Sequence, residues 1–259
     1  MSRRRMLGVF GAVALVTGMM AATMLPAQAQ PTSCLGSPAT KTGTSGNDTI
    51  NGTAGADVIL GLGGNDKIFG KGGADKICGG NGNDIIEAGR GNDSVDGGTG
   101  SDTWSYVAAP GSIGTHLLNS GTSSIGYNFG PGGSGHETDS VKNTENVTGG
   151  PFHDNITGND ADNVIKGGGE GDALEGEGGS DHVYGQAGDE GANAGNSHVE
   201  GGDGNDFLYG GAGIDLIRGD DGNDFLNGGP NPTGEADTGE GGLGSDTCVN
   251  IESENSCEH

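Results

Sequence analysis

The stretch Gly79-Gly80-Asn81-Gly82-Asn83-Asp84-Ile85-Ile86-Glu87 decides the fold, because loose copies of it make up most of the chain. In general form it reads G-G-x-G-x-D-x-U-x, where U is a large apolar residue. The glycines permit the positive φ angles of tight turns and let backbone carbonyl groups approach one another. The apolar residue two positions after the acid fits a short extended segment. The repeat therefore predicts a turn followed by a short strand in every unit, which is how a solenoid is organised.

A first block of repeats runs seven times without a gap from Gly43 to Ser105. The eighth position of each unit is apolar, and its members are Ile50, Ile59, Ile68, Ile77, Ile86, Val95 and Trp104. The sixth position is aspartate in every unit, and its members are Asp48, Asp57, Asp66, Asp75, Asp84, Asp93 and Asp102. Calcium takes six to eight oxygen ligands from carboxylates and carbonyls. These aspartates, in turns rich in glycine, therefore predict a row of calcium sites.

A second block from Gly149 to Val249 repeats the pattern with more departures from it. Its predicted metal ligands at the sixth position are Asp154, Asp172, Asp181, Asp206, Asp215 and Asp224. Asn163 replaces one aspartate, and Ser197 stands where another belongs. The stretch between Gly185 and Glu200 is too short for two full units, and an insertion follows Gly229. We therefore expect the firmest binding in this block from Gly201 to Asn227, and little contribution from Asp246.

These units resemble the RTX or hemolysin-type calcium-binding repeat family, in which calcium is bound between stacked turns. The resemblance implies an all-β fold, a right-handed parallel β-roll or β-solenoid, in which two nonapeptide units form one coil. It places Asp48, Asp66, Asp84 and Asp102 along one edge and Asp57, Asp75 and Asp93 along the other. Neighbours in each row would share an ion, and carbonyls of the turn glycines would complete the sites. Five complete sites would follow in the first block.

Composition excludes an ordinary globular core and several classes of partner. The chain has 259 residues, of which 59 are Gly and 4% are aromatic, and its formal net charge is −25. So much glycine raises the entropy cost of ordering the backbone, and so much negative charge opposes compaction. Binding nucleic acid requires Lys and Arg, which are scarce here. The composition favours cations as partners and predicts that the chain folds as calcium binds.

The first residues have the pattern of a secretory signal peptide. Arg3-Arg4-Arg5 precedes an apolar run from Met6 to Leu25 and the small-residue site Ala27-Gln28-Ala29, so cleavage is expected before Gln30. A retained membrane anchor is the alternative, and no later segment is apolar enough to span a membrane. The predicted organisation is a signal peptide at 1–29, a cap segment at 30–42, repeats at 43–105, an irregular β spacer at 106–148, repeats at 149–249 and a disulfide cap at 250–259.

The interruption between the blocks carries the alternatives to a purely calcium-binding role. We predict short strands joined by turns, serving as a spacer, and the alternative is a binding surface ending at His136-Glu137-Thr138-Asp139. A surface-recognition or adhesive solenoid that binds glycan or ice is a second hypothesis for the whole protein. A polysaccharide-modifying enzyme is a third. The sequence contains neither G-x-S-x-G nor H-E-x-x-H, so we expect no enzyme activity.

Four cysteines in an exported chain predict two disulfide bonds. Pairing Cys34 with Cys78 and Cys248 with Cys257 is the most economical arrangement, because it closes the first block and the end of the chain. The other two connectivities stay open at this point. A thiolate metal cluster lacks the required spacing. We therefore expect the cysteines to cap the ends of the solenoid.

Overall fold

The chain forms two parallel β-sheets that face each other across a narrow apolar core. The computed structural model describes residues 31–109, 111–117, 123–128, 136–185, 197–231 and 236–257, with the backbone alone at 116, 123–128, 136 and 137. Within these ranges all regular secondary structure is β and there is no helix. The fold is a parallel β-solenoid, which confirms the predicted fold class. The predicted signal peptide lies outside the described residues.

Along most of the chain the strands alternate between the two sheets. They are β1 Ser33–Cys34, β2 Ser37–Pro38, β3 Lys41–Thr42, β4 Thr49–Asn51, β5 Val58–Gly63, β6 Lys67–Phe69, β7 Lys76–Asn81, β8 Ile85–Glu87, β9 Ser94–Thr99, β10 Thr103–Ser105, β11 Ile113–His116, β12 Ser123–Asn128, β13 His136–Lys142, β14 Asn146–Thr148, β15 Asn155–Asn159, β16 Val164–Lys166, β17 Ala173–Gly178, β18 His182–Tyr184, β19 His198–Asp203, β20 Phe207–Tyr209, β21 Leu216–Asp221, β22 Phe225–Asn227, β23 Thr238–Glu240, β24 Thr247–Val249 and β25 Ser253–Asn255. The alternation holds from β3 onward, except that β11, β12 and β13 all belong to the same sheet.

One sheet, the short-strand sheet, contains ten described strands of three residues each, in the order β4, β6, β8, β10, β14, β16, β18, β20, β22, β24. The other, the long-strand sheet, contains thirteen and begins β3, β5, β7, β9. In the short-strand sheet Ile50 pairs with Ile68, and Ile68 pairs with Ile86. Each residue thus pairs with its counterpart in the second unit along, so two nonapeptides make one coil. A small hairpin of β1 and β2 precedes both sheets.

The core is a single file of apolar side chains from the eighth position of each unit. Ile59, Ile68, Ile77 and Ile86 have no exposed surface, whereas Ile50 in the first coil is only partly buried. Each fully buried isoleucine stabilises the fold by about 1.5–3 kcal/mol relative to exposure. An apolar residue recurs at the same position of every unit in the first block. The parallel register that buries one of these isoleucines therefore buries all of them.

The interruption continues both sheets and joins the two blocks. In the short-strand sheet β14 pairs in parallel with β10 on one side and with β16 on the other. In the long-strand sheet β13, β12 and β11 lie between β9 and β15, and β12 runs antiparallel to both of its neighbours. The predicted short strands are therefore present. The two repeat blocks form one continuous solenoid through residues that do not follow the repeat.

Large side chains fill the core beside the interruption. Trp104 is completely buried, and its ring centroid lies 4.9 Å from that of Tyr106. Val141 and Val147 point inward where the repeat places its apolar residue. The long-strand sheet gains three strands here while the short-strand sheet gains only β14, so bulky rings occupy the additional interior volume.

The second block corrects one prediction about the insertions. The sequence suggested two shortened units between Gly185 and Glu200, but β19 is the one strand between β18 and β20 among the described residues, which leave out 186–196. His182 pairs with Phe207, which lies beyond the end of two regular units, so one unit there is lengthened rather than shortened. Phe225 likewise pairs with Thr247, on the far side of the insertion at Pro230. In both places the parallel pairing continues beyond the insertion, because shifting the register would expose the core residues of every following strand.

Candidate metal centre

Two ladders of side chains, most of them acidic and buried, run along the solenoid, one beside each sheet. The short-strand ladder consists of the residues immediately before the short strands, namely Asp48, Asp66, Asp84, Asp102, Glu145, Asn163, Asp181, Asp206, Asp224 and Asp246. The long-strand ladder consists of the corresponding residues of the long-strand sheet, namely Asp57, Asp75, Asp93, Asp139, Asp154, Asp172, Ser197, Asp215, Asp237 and Glu252. Every metal ligand predicted from sequence lies on one of these ladders.

One oxygen of each carboxylate ties successive coils together. The backbone N–H of Asp66 donates to Oδ1 of Asp84 over 2.8 Å, and the N–H of Asp84 donates to Oδ1 of Asp102 over 2.8 Å. The same bond links Asp57 to Asp75 and Asp206 to Asp224. Each bond spans one coil and makes the sixth position a structural position. Asparagine could satisfy this bond, so it does not by itself explain why the residue is acidic.

The second carboxylate oxygen gives that explanation. Oδ2 is buried and accepts no hydrogen bond from the described residues in Asp66, Asp75, Asp84, Asp102, Asp172, Asp181, Asp206, Asp215, Asp224 and Asp246. An ionised carboxylate removed from water without a donor or a cation is strongly unfavourable. The orphaned oxygens recur coil after coil, so the ladders are suited to cations placed between the coils.

Backbone carbonyls converge on the same points. A Cβ atom built on Gly79 would overlap Oδ2 of Asp84 and also meet the carbonyl oxygen of Gly97, one coil further along. Gly61 has the same relation to Asp66 and to the carbonyl of Gly79. At Gly61 and Gly79, the first glycine of the unit therefore keeps open a space that is bordered by a carboxylate oxygen and a carbonyl oxygen.

The composition of these spaces fits calcium. Among the described residues no three Asp, Glu, His or Cys side chains converge as a metal cluster, so a cation here would depend on backbone oxygens as well as carboxylates. Calcium accepts such mixed oxygen sets, whereas zinc prefers nitrogen and sulfur ligands in tetrahedral geometry. The residues present therefore fit calcium.

Burial and mutual repulsion raise the pKa values of the ladder carboxyls in the metal-free chain. Burial, with a smaller contribution from Asp93 and Asp57, raises the pKa of Asp75 to about 6. Burial, followed by repulsion from Asp84 and Glu145, raises the pKa of Asp102 to about 7. Burial, with Asp154 and Glu170, raises the pKa of Asp172 to about 8. In the absence of a cation, these carboxyl groups therefore stay protonated up to a pH close to neutral.

A pH dependence follows for the calcium-free protein. The unfolded chain releases these protons near pH 3.8, whereas the folded chain keeps them until about pH 6 to 8. Folding therefore takes up protons between these limits, and the free energy of unfolding falls as the pH rises from about 4 to about 8. We expect the calcium-free protein to gain β-structure when acidified from pH 8 to pH 5, measured by far-ultraviolet circular dichroism. Equal β-content at both values would contradict the buried ladders.

Three predicted ligands differ from the others because protein donors satisfy their outer oxygens. Oδ2 of Asp48 accepts hydrogen bonds from the N–H and the hydroxyl of Thr44, at 2.6 and 2.8 Å. Oδ2 of Asp57 accepts the same pair from Thr53, at 2.6 and 2.8 Å. Although burial opposes the effect, these bonds lower the pKa of Asp57. Asp154 accepts N–H groups at both oxygens, from Gly150 at 2.7 Å and Ile113 at 2.8 Å.

Asn163 satisfies its position in the short-strand ladder without a cation. Its Oδ1 accepts the N–H of Asn159 over 2.8 Å, and its Nδ2 donates to the carbonyl oxygen of Glu145 over 2.7 Å. Oδ1 of Asn163 stands where the aspartates have Oδ2, because a Cβ atom on Gly158 would overlap it, and here that oxygen accepts a protein donor. The sequence predicted a weaker site at this position, and the hydrogen bonds give a physical reason for one.

Sequence reasoning missed several members of the ladders. Asp139 and Glu145 stand two residues before the inward-pointing Val141 and Val147, but the glycines of the repeat are absent there. Asp237 was hidden because Gly239 replaces the apolar residue, and the side chain of Ile251 fills the space beside that glycine. Glu252 accepts the N–H of Asp237 over 2.8 Å and ends the long-strand ladder.

Asp246 also belongs to the short-strand ladder, although the sequence suggested only a minor contribution. It is completely buried, and its Oδ1 accepts the N–H of Asp224 over 3.0 Å. The expectation of a minor contribution rested on the insertion after Gly229, but the short-strand ladder continues beyond that insertion with the same bond.

Both disulfide bonds favoured by the sequence are present. Cys34 on β1 is bonded to Cys78 on β7, and Cys248 on β24 is bonded to Cys257. The first ties the N-terminal hairpin to the first block, and the second closes the C-terminal end. No described part of the chain forms a helix long and apolar enough to cross a membrane.

Comparison with known proteins places the chain in a family. The RTX calcium-binding nonapeptide repeat family matches residues 42–77, 78–103, 148–183, 167–190, 192–217 and 200–230, which together cover more than half of the chain. A comparison with curated proteins finds no match. The matched segments coincide with the two repeat blocks, and the family's repeat binds calcium. The chain belongs to the RTX calcium-binding nonapeptide repeat family.

Proposed function

We propose that this protein is exported and folds when calcium ions bind between the carboxylates of successive coils. The observation that carries the proposal is the row of buried Oδ2 atoms that accept no hydrogen bond from the described residues. A chain that folded without a cation would leave these charges uncompensated or would need to hold protons there. Calcium supplies positive charge at the point where a carboxylate and a carbonyl oxygen meet.

Calcium would replace the repulsion between neighbouring carboxylates of a ladder with attraction to a shared cation. Adjacent strands of a sheet lie about 4.8 Å apart, and two carboxylates at about 5 Å repel by roughly 0.8 kcal/mol even at the dielectric constant of water. The repulsion is larger in the buried positions, and it recurs at every coil. Asp66, Asp84 and Asp102 would hold ions between their coils, so that binding and folding become one event.

The proposed ligands fall into two groups. Those with an orphaned oxygen would hold calcium most firmly, namely Asp66, Asp75, Asp84, Asp102, Asp172, Asp181, Asp206, Asp215 and Asp224. Asp48, Asp57 and Asp154 would serve mainly as ends of rows, because their outer oxygens already accept protein donors. Asp93 lies between Asp75 and Asp139 in the long-strand ladder and completes the proposed ligand set.

Export agrees with this chemistry. Extracellular modules bind calcium with dissociation constants of about 10⁻⁴ to 10⁻³ M, so the chain would stay unfolded where calcium is scarce and fold outside the cell. Disulfide bonds persist in oxidising compartments, and both bonds tie the ends of the solenoid. The apolar leader at 1–29 would direct this export.

The proposal includes no reaction. An enzyme in the interruption would require a cluster of carboxylates and histidine near His136, whose side chain lies outside the described residues together with that of Glu137. Their neighbour Asp139 is completely buried and bonded to the N–H of Asp93, so it serves the ladder. Calcium binding accounts for the acidic residues without a catalytic role.

A calcium titration tests the proposed function. Trp104 is the sole tryptophan and is completely buried, so its fluorescence reports folding at the centre of the solenoid. In buffer without divalent ions at neutral pH we expect the emission of an exposed tryptophan, and calcium should shift it to shorter wavelength. Magnesium, which demands a smaller octahedral site, should not replace calcium. An emission spectrum unaffected by calcium would contradict the proposal.

A further inference from the structure

We propose a calcium site inside the interruption, formed by Asp102, the carbonyl oxygen of Asn143 and the carboxylate of Glu145. It rests on the proposed function and extends it to residues outside the repeat, because the family match ends at 103 and resumes at 148. The site would extend the ion row of the first block into the interruption.

The arrangement at Gly97 reproduces that of a regular unit. In the first block, a Cβ on Gly79 would overlap Oδ2 of Asp84 and meet the carbonyl oxygen of Gly97. A Cβ on Gly97 would lie 2.7 Å from Oδ2 of Asp102 and would overlap the carbonyl oxygen of Asn143. Asn143 thus takes the place of the glycine one coil further along, and its φ of +53° lies in the left-handed region.

Glu145 takes the place of the next aspartate. Its Oε2 accepts a hydrogen bond from the N–H of Asp102 over 2.8 Å. In the preceding coil, Oδ1 of Asp102 accepts the equivalent bond from the N–H of Asp84. Glu145 follows Asp139 more closely than one ladder residue of the repeat follows another. The turn is therefore shorter, and the additional methylene of glutamate lets the carboxylate reach the same position.

The second oxygen of Asp102 points to a ligand. Asp102 is completely buried, and its Oδ2 accepts no hydrogen bond from the described residues. The nearby Lys142 pairs with Asp96 over 2.7 Å, and Nδ2 of Asn143 also donates to Asp96 over 2.7 Å. These contacts fix the turn that carries the Asn143 carbonyl. A cation between Asp102 and Glu145 would compensate the two carboxylates.

The consequence is that the first block is coupled to the interruption through an ion. Asp48, Asp66, Asp84, Asp102 and Glu145 form one uninterrupted run of the short-strand ladder. Beyond it, Asn163 supplies its own donor to the Glu145 carbonyl. The ion row of the first block would therefore extend into the interruption and end there.

The test compares Glu145→Gln with wild type and with Glu175→Gln as a matched control. Glutamine keeps the size and an acceptor for the Asp102 N–H, and Glu175 is an exposed acid on β17 outside both ladders. Bound calcium is counted after equilibrium dialysis, and the folding equilibrium, followed by Trp104 emission, is measured against the logarithm of calcium concentration. The slope of that plot gives the number of ions taken up on folding.

We expect Glu145→Gln to bind one calcium fewer and to lower the slope by one, while Glu175→Gln changes neither. A purely structural role of Glu145 would lower stability at every calcium concentration without changing the count or the slope, and that result would overturn the site. If Glu145→Gln fails to fold at calcium concentrations where Asp84→Asn folds, the inference is also overturned, since Asp84→Asn removes two shared sites. Failure of the proposed function is distinct, because wild type itself would then bind no calcium.

Discussion

Replacing Asp84 with Asn is expected to remove two calcium ions from the protein, because this carboxylate lies between Asp66 and Asp102 in the short-strand ladder. Asparagine preserves the size of the side chain and an acceptor for the N–H of Asp66, so the loss isolates the charge and the orphaned oxygen. An ion present at 100 times its dissociation constant stabilises the folded state by about 2.7 kcal/mol. Losing two would cost about 5 kcal/mol.

Asp48→Asn is the matched control for this prediction. It is the same change at the same position of the repeat, but Asp48 is only partly buried at the end of the ladder and its Oδ2 is bonded to Thr44. We expect it to remove at most one ion and to shift the calcium midpoint of folding much less. Calcium counting and urea unfolding at fixed calcium concentration measure both quantities. Equal losses from the two variants would show that the ions are not shared along the ladder.

Replacing Gly79 with Ala is the second change with a large expected effect. The new methyl group would occupy the space bordered by Oδ2 of Asp84 and the carbonyl oxygen of Gly97. The φ of Gly79 is not in the left-handed region, so the effect arises from the overlap rather than from backbone strain. Overpacking costs about 1–3 kcal/mol, and the loss of an ion adds about 2.7 kcal/mol. The expected destabilisation at saturating calcium is therefore about 4–6 kcal/mol.

Gly55→Ala provides the comparison for the glycine prediction. A Cβ on Gly55 would meet nothing within 4 Å, and its φ is also outside the left-handed region. The substitution should be neutral or slightly stabilising, because alanine restricts the unfolded chain. Unfolding by urea in the presence of calcium measures both variants. If Gly79→Ala were as stable as Gly55→Ala and bound as much calcium, the space beside Gly79 would not be a metal site.

The regular units allowed the solenoid to be predicted from sequence. An aspartate two residues before an apolar residue, repeated in every nonapeptide, fixes both the inward file of Ile59, Ile68 and Ile77 and the ladder beside it. Parallel pairing of every second unit then places the carboxylates one coil apart. The continuity of the two blocks was not predictable, since Val141 and Val147 take their places without the glycines that mark a turn.

The sequence also could not predict which aspartates accept a protein donor at the outer carboxylate oxygen. Asp48, Asp154 and Asp84 occupy the same position of the repeat, yet the first two accept protein donors at the outer oxygen and the third does not. The difference depends on Thr44 in one case and on the Gly150 N–H group in the other. The donors to the outer oxygens lie in the turn of the same unit, four residues before the aspartate, so they depend on the conformation that each turn adopts.

Far-ultraviolet circular dichroism of the purified protein, before and after calcium is added at neutral pH, tests the central claim most directly. The ladders predict little β-structure in the absence of divalent ions, because the charged carboxylates oppose stacking of the coils. Addition of calcium should then produce the β-spectrum together with the shift in Trp104 emission. A complete β-spectrum in calcium-free buffer at neutral pH, unchanged by calcium, would contradict the account.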